Sequence, residues 1–159
     1  MARVFNFNPG PAALPESVLR EAQEELLDYR GCGMSVLEMS HRSATYQDIF
    51  DDTEATLRRV LNVPDSYRVL FLQGGATLEF AGIPMNLMRT GRAGYVVSGN
   101  FAKKAYVEAQ KYGEAVKLAT SEDTDFDRIP NLQPVEEAAT KGDLDYVYIC
   151  QNNTIFGTM

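Results

Sequence analysis

A chain of 159 residues, 45% apolar and 23% charged, is about one domain's worth and long enough to bury a sizeable core. Its 15 Lys and Arg against 22 Asp and Glu give a net charge of -7, which argues against a general binder of nucleic acid or anionic membrane, because phosphate-rich partners call for a basic face. Two distant cysteines, Cys32 and Cys150, and one histidine, His41, exclude a metal site built on several imidazoles or on spaced thiols. No apolar run approaches the roughly 18 residues that cross a bilayer, so the composition points to a reduced, cytoplasmic protein with no membrane partner.

In chain order, residues 5–14 (Phe-Asn-Phe-Asn-Pro-Gly-Pro-Ala-Ala-Leu) read as an ordered, extended arm, and Pro15 opens a helix whose face carries Val18, Ala22 and Leu26, with Gly31 available as its cap. Tyr46, Ile49, Phe50, Thr53, Leu57, Val60 and Leu61 form the stripe of a second, longer helix that Pro64 terminates. Beyond residue 66 the texture changes. Val69-Leu70-Phe71-Leu72, Tyr95-Val96-Val97 and Tyr146-Val147-Tyr148-Ile149-Cys150 are short continuous apolar runs, as strands covered on both faces require, and Val116-Lys117-Leu118 is a weaker strand. Helical patterns lie between them at 77–89, 101–112 and 134–141, with Pro84 implying a kink or a shifted start in the first. Strands alternating with helices specify an α/β fold with a mostly parallel sheet and right-handed crossovers. The segment from Cys150 to Thr158 reads as a functional loop leaving a strand, with no closing helix after it, so the α/β domain is expected to be truncated.

Four segments carry chemistry. Gln73-Gly74-Gly75-Ala76-Thr77 pairs glycines that admit close backbone approach with the start of a helix, where free N–H groups and the dipole favour a phosphate; the plainer reading is a tight turn with a cap. Met39-Ser40-His41-Arg42-Ser43 offers a guanidinium fork and an imidazole to an acidic ligand, or simply caps the long helix through Ser43. Ser98-Gly99-Asn100-Phe101 places an aromatic ring where it can stack on a flat heterocycle, or where it joins the core. Asn152-Asn153-Thr154 supplies amides and a hydroxyl, or ordinary turn chemistry. Three of the four follow predicted strands at one edge of a parallel sheet, the edge at which open α/β folds bind ligands. Lys103, Lys104, Glu108 and Lys111 read as a solvated helix face.

Taken in order, Phe7-Asn8-Pro9-Gly10-Pro11-Ala12-Ala13-Leu14-Pro15, Ser40-His41-Arg42, Phe71-Leu72-Gln73-Gly74-Gly75-Ala76-Thr77, Asn100-Phe101-Ala102-Lys103-Lys104-Ala105 and Asn152-Asn153-Thr154-Ile155-Phe156-Gly157-Thr158 resemble the phosphoserine aminotransferases, pyridoxal-phosphate enzymes of fold type I. The resemblance spans the whole chain. It implies a partial three-layer α/β/α large domain, with residues 1–15 an extended arm that contributes to a small domain and residues 16–159 the N-terminal part of the cofactor domain. It implies that Ala76 and Thr77 hold the phosphate of pyridoxal 5'-phosphate, and that Thr154 bonds its phenolic oxygen. Phe101 replaces an aromatic, usually Trp, that stacks on the pyridine ring. His41 and Arg42 would bind the acidic groups of the substrate, with a reach across a dimer among the arrangements left open. Some relatives carry Arg where Thr77 stands, which bears on the contacts to a substrate phosphate.

The implied reaction passes an amino group between L-glutamate and 3-phosphohydroxypyruvate, giving O-phospho-L-serine and 2-oxoglutarate, in a cytoplasmic homodimer that serves serine and pyridoxine biosynthesis. The family's Schiff-base lysine belongs to a later part of its chain. None of Lys103, Lys104, Lys111, Lys117 and Lys141 follows a buried strand into the pocket, so no catalytic residue is assigned and the 159 residues alone are expected to be inactive. Two alternatives stand beside this reading: another fold type I aminotransferase, acting on glyoxylate, and a non-catalytic phosphate-ligand or assembly half.

Overall fold

A computed structural model describes residues 3–159, which form two units divided between Phe71 and Leu72. The first begins with an extended arm and helix α1, Glu16–Glu24, with Pro15 at its N-cap. The helix ends at Glu24, short of Gly31, and leaves Leu26 outside; farther on, Arg30, Gly31 and Gly33 take positive φ, which no right-handed helix accommodates, so Gly31 caps nothing of α1. Ser35 and Glu38 then cap the next turn: Leu37 N–H donates to Ser35 Oγ at 3.2 Å and Ser35 N–H to Glu38 Oε2 at 3.1 Å. Helix α2, Ala44–Leu61, carries the predicted stripe, of which Tyr46, Ile49, Phe50 and Leu57 are half-buried while Val60 and Leu61 stay exposed. Asn62 closes α2 in the left-handed conformation. Arg58 pins the turn after the helix, bonding Glu54 at 2.8 Å and the carbonyl of Tyr67 at 3.0 Å.

One predicted strand does not form. Residues 69–72 are extended but enter no ladder, with Leu70 and Leu72 exposed and Phe71 edge-on to Phe50 of α2 at 5.0 Å. An apolar run supplies the side chains of a strand, whereas the strand itself requires a neighbouring backbone to pair with. This run has none among the described residues.

The second unit holds α3 (Gly75–Leu87), β1 (Arg92–Val97), α4 (Asn100–Ala109), β2 (Glu114–Thr120), α5 (Gln133–Lys141) and β3 (Val147–Tyr148). The strands lie parallel in the order β2-β1-β3. The chain therefore leaves β1 toward β2 and returns past it to β3, and two right-handed crossovers in opposite senses lay α4 and α5 on opposite faces of the sheet. Ala93, Tyr95 and Val97 pack with Ala105 and Ala109 of α4 and with Phe80 of α3, while Gly94 faces Leu118 and Leu144. Among the described strands β1 alone is buried along its length, from Ala93 to Val97, with Arg92 half-buried; β2 and β3 are only partly covered, so the expectation of strands enclosed on both faces holds for β1 alone. β3 is shorter than predicted, although Asp145 N–H and Tyr146 C=O extend its bonding to β1 by 2.9 Å bonds to Arg92 and Gly94. Helix α3 runs through the buried Pro84, which marks neither its start nor its end.

Tyr95, 1% exposed, is the largest side chain enclosed in this core. Its hydroxyl lies 2.6 Å from that of Tyr146, its ring stacks on Tyr148 at 5.3 Å, and Tyr106 meets it edge-on at 6.0 Å. Burial, with the Tyr146 hydrogen bond second, drives the Tyr95 phenol far above its ordinary range, and burial pushes Tyr148 up to about 12. The unfolded chain ionises both near 10.0, so their contribution to stability is whole below that pH and is lost as the pH rises from 10.0 toward 12 and above. Urea-unfolding midpoints should be level up to pH 10 and fall beyond it, more shallowly in Tyr148→Phe; a midpoint indifferent to pH across that window would contradict the burial of these phenols.

Candidate functional site

The Gln73-Gly74-Gly75 turn begins α3 without a side-chain cap, with φ of 99° at Gly74 and 57° at Gly75. At Gly74 a Cβ would lie 2.6 Å from Leu78, whereas at Gly75 it would meet nothing within 4 Å. The first glycine is thus needed for fit as well as conformation, and the second leaves open space beside the helix start. The first-turn amides of Gly75, Ala76 and Thr77 have no carbonyl one turn back to bond, and no side chain takes its place. Helix α4 starts likewise without a side-chain cap, at Gly99.

Thr77 and Asn100, from these two starts, line one cleft of about 690 Å³, whose walls continue as Phe80, Lys103, Lys104 and Glu108. The helix face read from sequence as merely solvated is polar as expected, yet it walls this cleft, since positions 100, 103, 104, 107 and 108 share one side of α4. The Lys104 ammonium stands 5.2 Å over the ring of Phe101, which is 39% exposed. Lys103 pairs with Glu122, whose second oxygen takes Lys117 at 3.2 Å, and these ammonium groups hold the Glu122 carboxyl below the ordinary carboxylate range. Open amides at a helix start and lysines on the adjoining wall favour a bound anion, while Phe101 and Thr154 are not among the residues that line this cleft.

Thr154 is exposed on the loop that follows β3, beside the buried Asn153, whose Nδ2 donates to Ser98 Oγ at 3.2 Å. Asn153 N–H bonds the Thr158 carbonyl at 2.9 Å, and Phe126 packs on Phe156 at 5.0 Å. The loops after β1 and β3 therefore meet at the carboxyl edge of the sheet, as in ligand-binding α/β folds. His41 and Arg42 belong to the other unit, in an exposed turn before α2: Arg42 N–H donates to Ser40 Oγ at 3.3 Å, and Ser43 Oγ accepts Tyr46 N–H at 3.2 Å, which makes Ser43 the cap. Sequence reasoning missed the cleft wall formed by Asn100, Lys103, Lys104 and Glu108 of α4, and the bond from Asn153 to Ser98. A helical projection of α4 could have found that wall; the bond joins positions 55 apart and had no local signal.

The class-V aminotransferase model matches residues 4–159. The chain belongs to the class-V aminotransferase family. It is 52% identical over 161 residues to the phosphoserine aminotransferase of Bacillus anthracis (strain A0248), and 49% identical over 160 residues to that of Listeria monocytogenes, in each case covering 99% of this chain and 43% of the relative. Among solved structures, phosphoserine aminotransferase from Bacillus circulans subsp. alkalophilus has a TM-score of 0.84 at 42% identity, covering 94% of this chain and 41% of that one. The pyridoxal-phosphate-bound enzyme from Trichomonas vaginalis has a TM-score of 0.79 at 33% identity, covering 98% and 43%. The fold is thus that of fold type I aminotransferases, and this member of the family spans about 43% of the length of its curated relatives.

The glycine turn gives a direct check on the geometry of the cleft. Gly74→Ala should cost stability by about 1–3 kcal/mol through strain and collision with Leu78, and Gly75→Ala, with strain alone, about 1 kcal/mol. Equal losses in thermal unfolding would mean that α3 does not start as described.

Proposed function

We propose that the whole protein is a phosphoserine aminotransferase, passing an amino group between L-glutamate and 3-phosphohydroxypyruvate in serine and pyridoxine biosynthesis. In this reading it works as a cytoplasmic homodimer. The observation that carries it is the pair of uncapped helix starts at one cleft, in a family whose solved relatives include a pyridoxal-phosphate-bound enzyme. The residues fit that cofactor: the space beside Gly75 is open, and the donors match a dianion. When bound, pyridoxal phosphate supplies the electron sink that amino-group transfer requires.

The chain's own residues bind and orient. Ala76 N–H and Thr77 N–H and Oγ1 donate to the phosphate, with the α3 dipole behind them. Phe101 would offer its ring to the pyridine ring, and Thr154 Oγ1 would donate to the phenolic oxygen. His41 and Arg42 take the acidic groups of the substrate, Arg42 by its planar fork. Residues 1–15 contribute to a small domain and residues 16–159 to the cofactor domain. The covalent lysine lies outside this chain in our reading, and the 159 residues alone transfer no amino group: Lys103 and Lys117 share Glu122, Lys111 pairs with Glu108, and Lys104 is turned onto Phe101.

In the whole protein, glutamate should be consumed with the phosphorylated keto acid and not with glyoxylate, and Thr77→Ala should weaken pyridoxal-phosphate binding by about 1.5–3 kcal/mol, the value of a hydrogen bond to a charged group. Turnover of glyoxylate alone would move the protein to another substrate class, and unchanged cofactor affinity in Thr77→Ala would remove Thr77 from the site.

A further inference from the structure

Gly99, the cap residue of α4, has φ 177° and ψ 179°, an extended conformation open to any residue. Its lack of a side chain therefore answers a need for space. A Cβ at position 99 would lie 2.9 Å from Cγ of Asn153 and would overlap Oδ1 of the same amide. That amide is itself buried, 7% exposed, and donates from Nδ2 to Ser98 Oγ at 3.2 Å. On its own side the Asn153 backbone closes the loop, donating to the Thr158 carbonyl at 2.9 Å and accepting from Phe156 and Gly157 N–H at 3.1 and 2.7 Å. One residue thus bonds the turn that ends β1, fills the volume Gly99 vacates, and fixes the loop after β3.

We propose that Asn153 is a positioning residue that sets Phe101 and Thr154 relative to each other, with Gly99 as its required counterpart. This rests on the cofactor reading above, in which Phe101 would stack on the face of the heteroaromatic ring and Thr154 would bond its phenolic oxygen. Phe101 lies two residues beyond Gly99 and Thr154 one beyond Asn153, so a shift of the amide moves both ring contacts at once. The amides of Gly75, Ala76 and Thr77 belong to a different helix start and keep their own geometry. Asn153 accordingly governs how the ring is held and leaves the phosphate grip alone.

Equilibrium dialysis of the full chain against two probes, pyridoxal phosphate and inorganic phosphate, separates these roles. Asn153→Ala and Gly99→Ala should each weaken pyridoxal phosphate about tenfold, the scale of one buried hydrogen bond or its loss of fit, and leave inorganic phosphate within about twofold. The double variant should bind pyridoxal phosphate better than Gly99→Ala alone, because alanine at 153 withdraws the amide that the new methyl strikes. If Asn153→Ala fails to fold, Gly99→Ala retains the Asn153 side chain while displacing its amide, and carries the same comparison. Unchanged pyridoxal-phosphate affinity, an equal loss for both probes, or single losses that simply add in the double variant would each overturn the proposal. Thr77→Ala is the control: weakening of both probes by it, with no effect at 99 or 153, defeats the positioning role only, whereas no effect of Thr77→Ala on either probe defeats the cofactor reading and the positioning role with it.

Discussion

Strand β1 is enclosed on both faces, and the chain leaves it in one direction and returns past it in the other. That one constraint arranges the rest of the second unit. A parallel sheet needs a crossover between each pair of strands, and right-handed crossovers of opposite sense cover the two faces with α4 and α5. All three strands then end at the same edge, where their loops meet. The tyrosines around Tyr95 fill the α4 side of this arrangement, and on the other side Gly94 makes room for Leu118 and Leu144. Asp145 fastens the opposite end of the sheet: burial works against its ionised form, but bonds from the Thr90 backbone and hydroxyl and from the Arg92 backbone outweigh it and hold its carboxyl below the ordinary range.

The chemistry at the carboxyl edge follows from what helix starts leave unsatisfied. Two helices begin there at glycines with no side-chain cap, and Lys103 and Lys104 add positive charge to a chain whose net charge is -7. Local donors, rather than overall charge, select an anion at such a place. Membership of the class-V aminotransferases gives that anion its most economical identity, a cofactor phosphate. The chain spans about 43% of the length of the curated relatives it matches.

Much of this was legible in the sequence, for physical reasons that can be named. The period of apolar residues found α2, α3, α4 and α5 to within a few residues, and continuous Val and Tyr runs found β1 and β3. Ser43 acted at the start of α2 as capping chemistry predicts. What failed was non-local. Residues 69–72 have the composition of a strand but no partner backbone among the described residues, and α1 ends at Glu24, before the predicted Leu26 and Gly31. At the site, glycine pairs and the strand-to-helix turn were visible as motifs, whereas the Gly99 and Asn153 contact depends on a fold that brings positions 54 apart together. Lys103 and Lys104 looked like a solvated face because sequence shows a helix's polar side without showing what stands opposite it.

The central claim is that the carboxyl edge of this sheet grips a phosphate-bearing heteroaromatic ring by the start of α3. Amide NMR during addition of pyridoxal phosphate tests it most directly. The account predicts that the N–H signals of Gly75, Ala76 and Thr77 move first and furthest, followed by Phe101 and Thr154, while Glu114 and Asp143 at the far edge stay still. Shifts centred on Glu114 and Asp143, or none at Gly75 to Thr77 at saturating ligand, would contradict it.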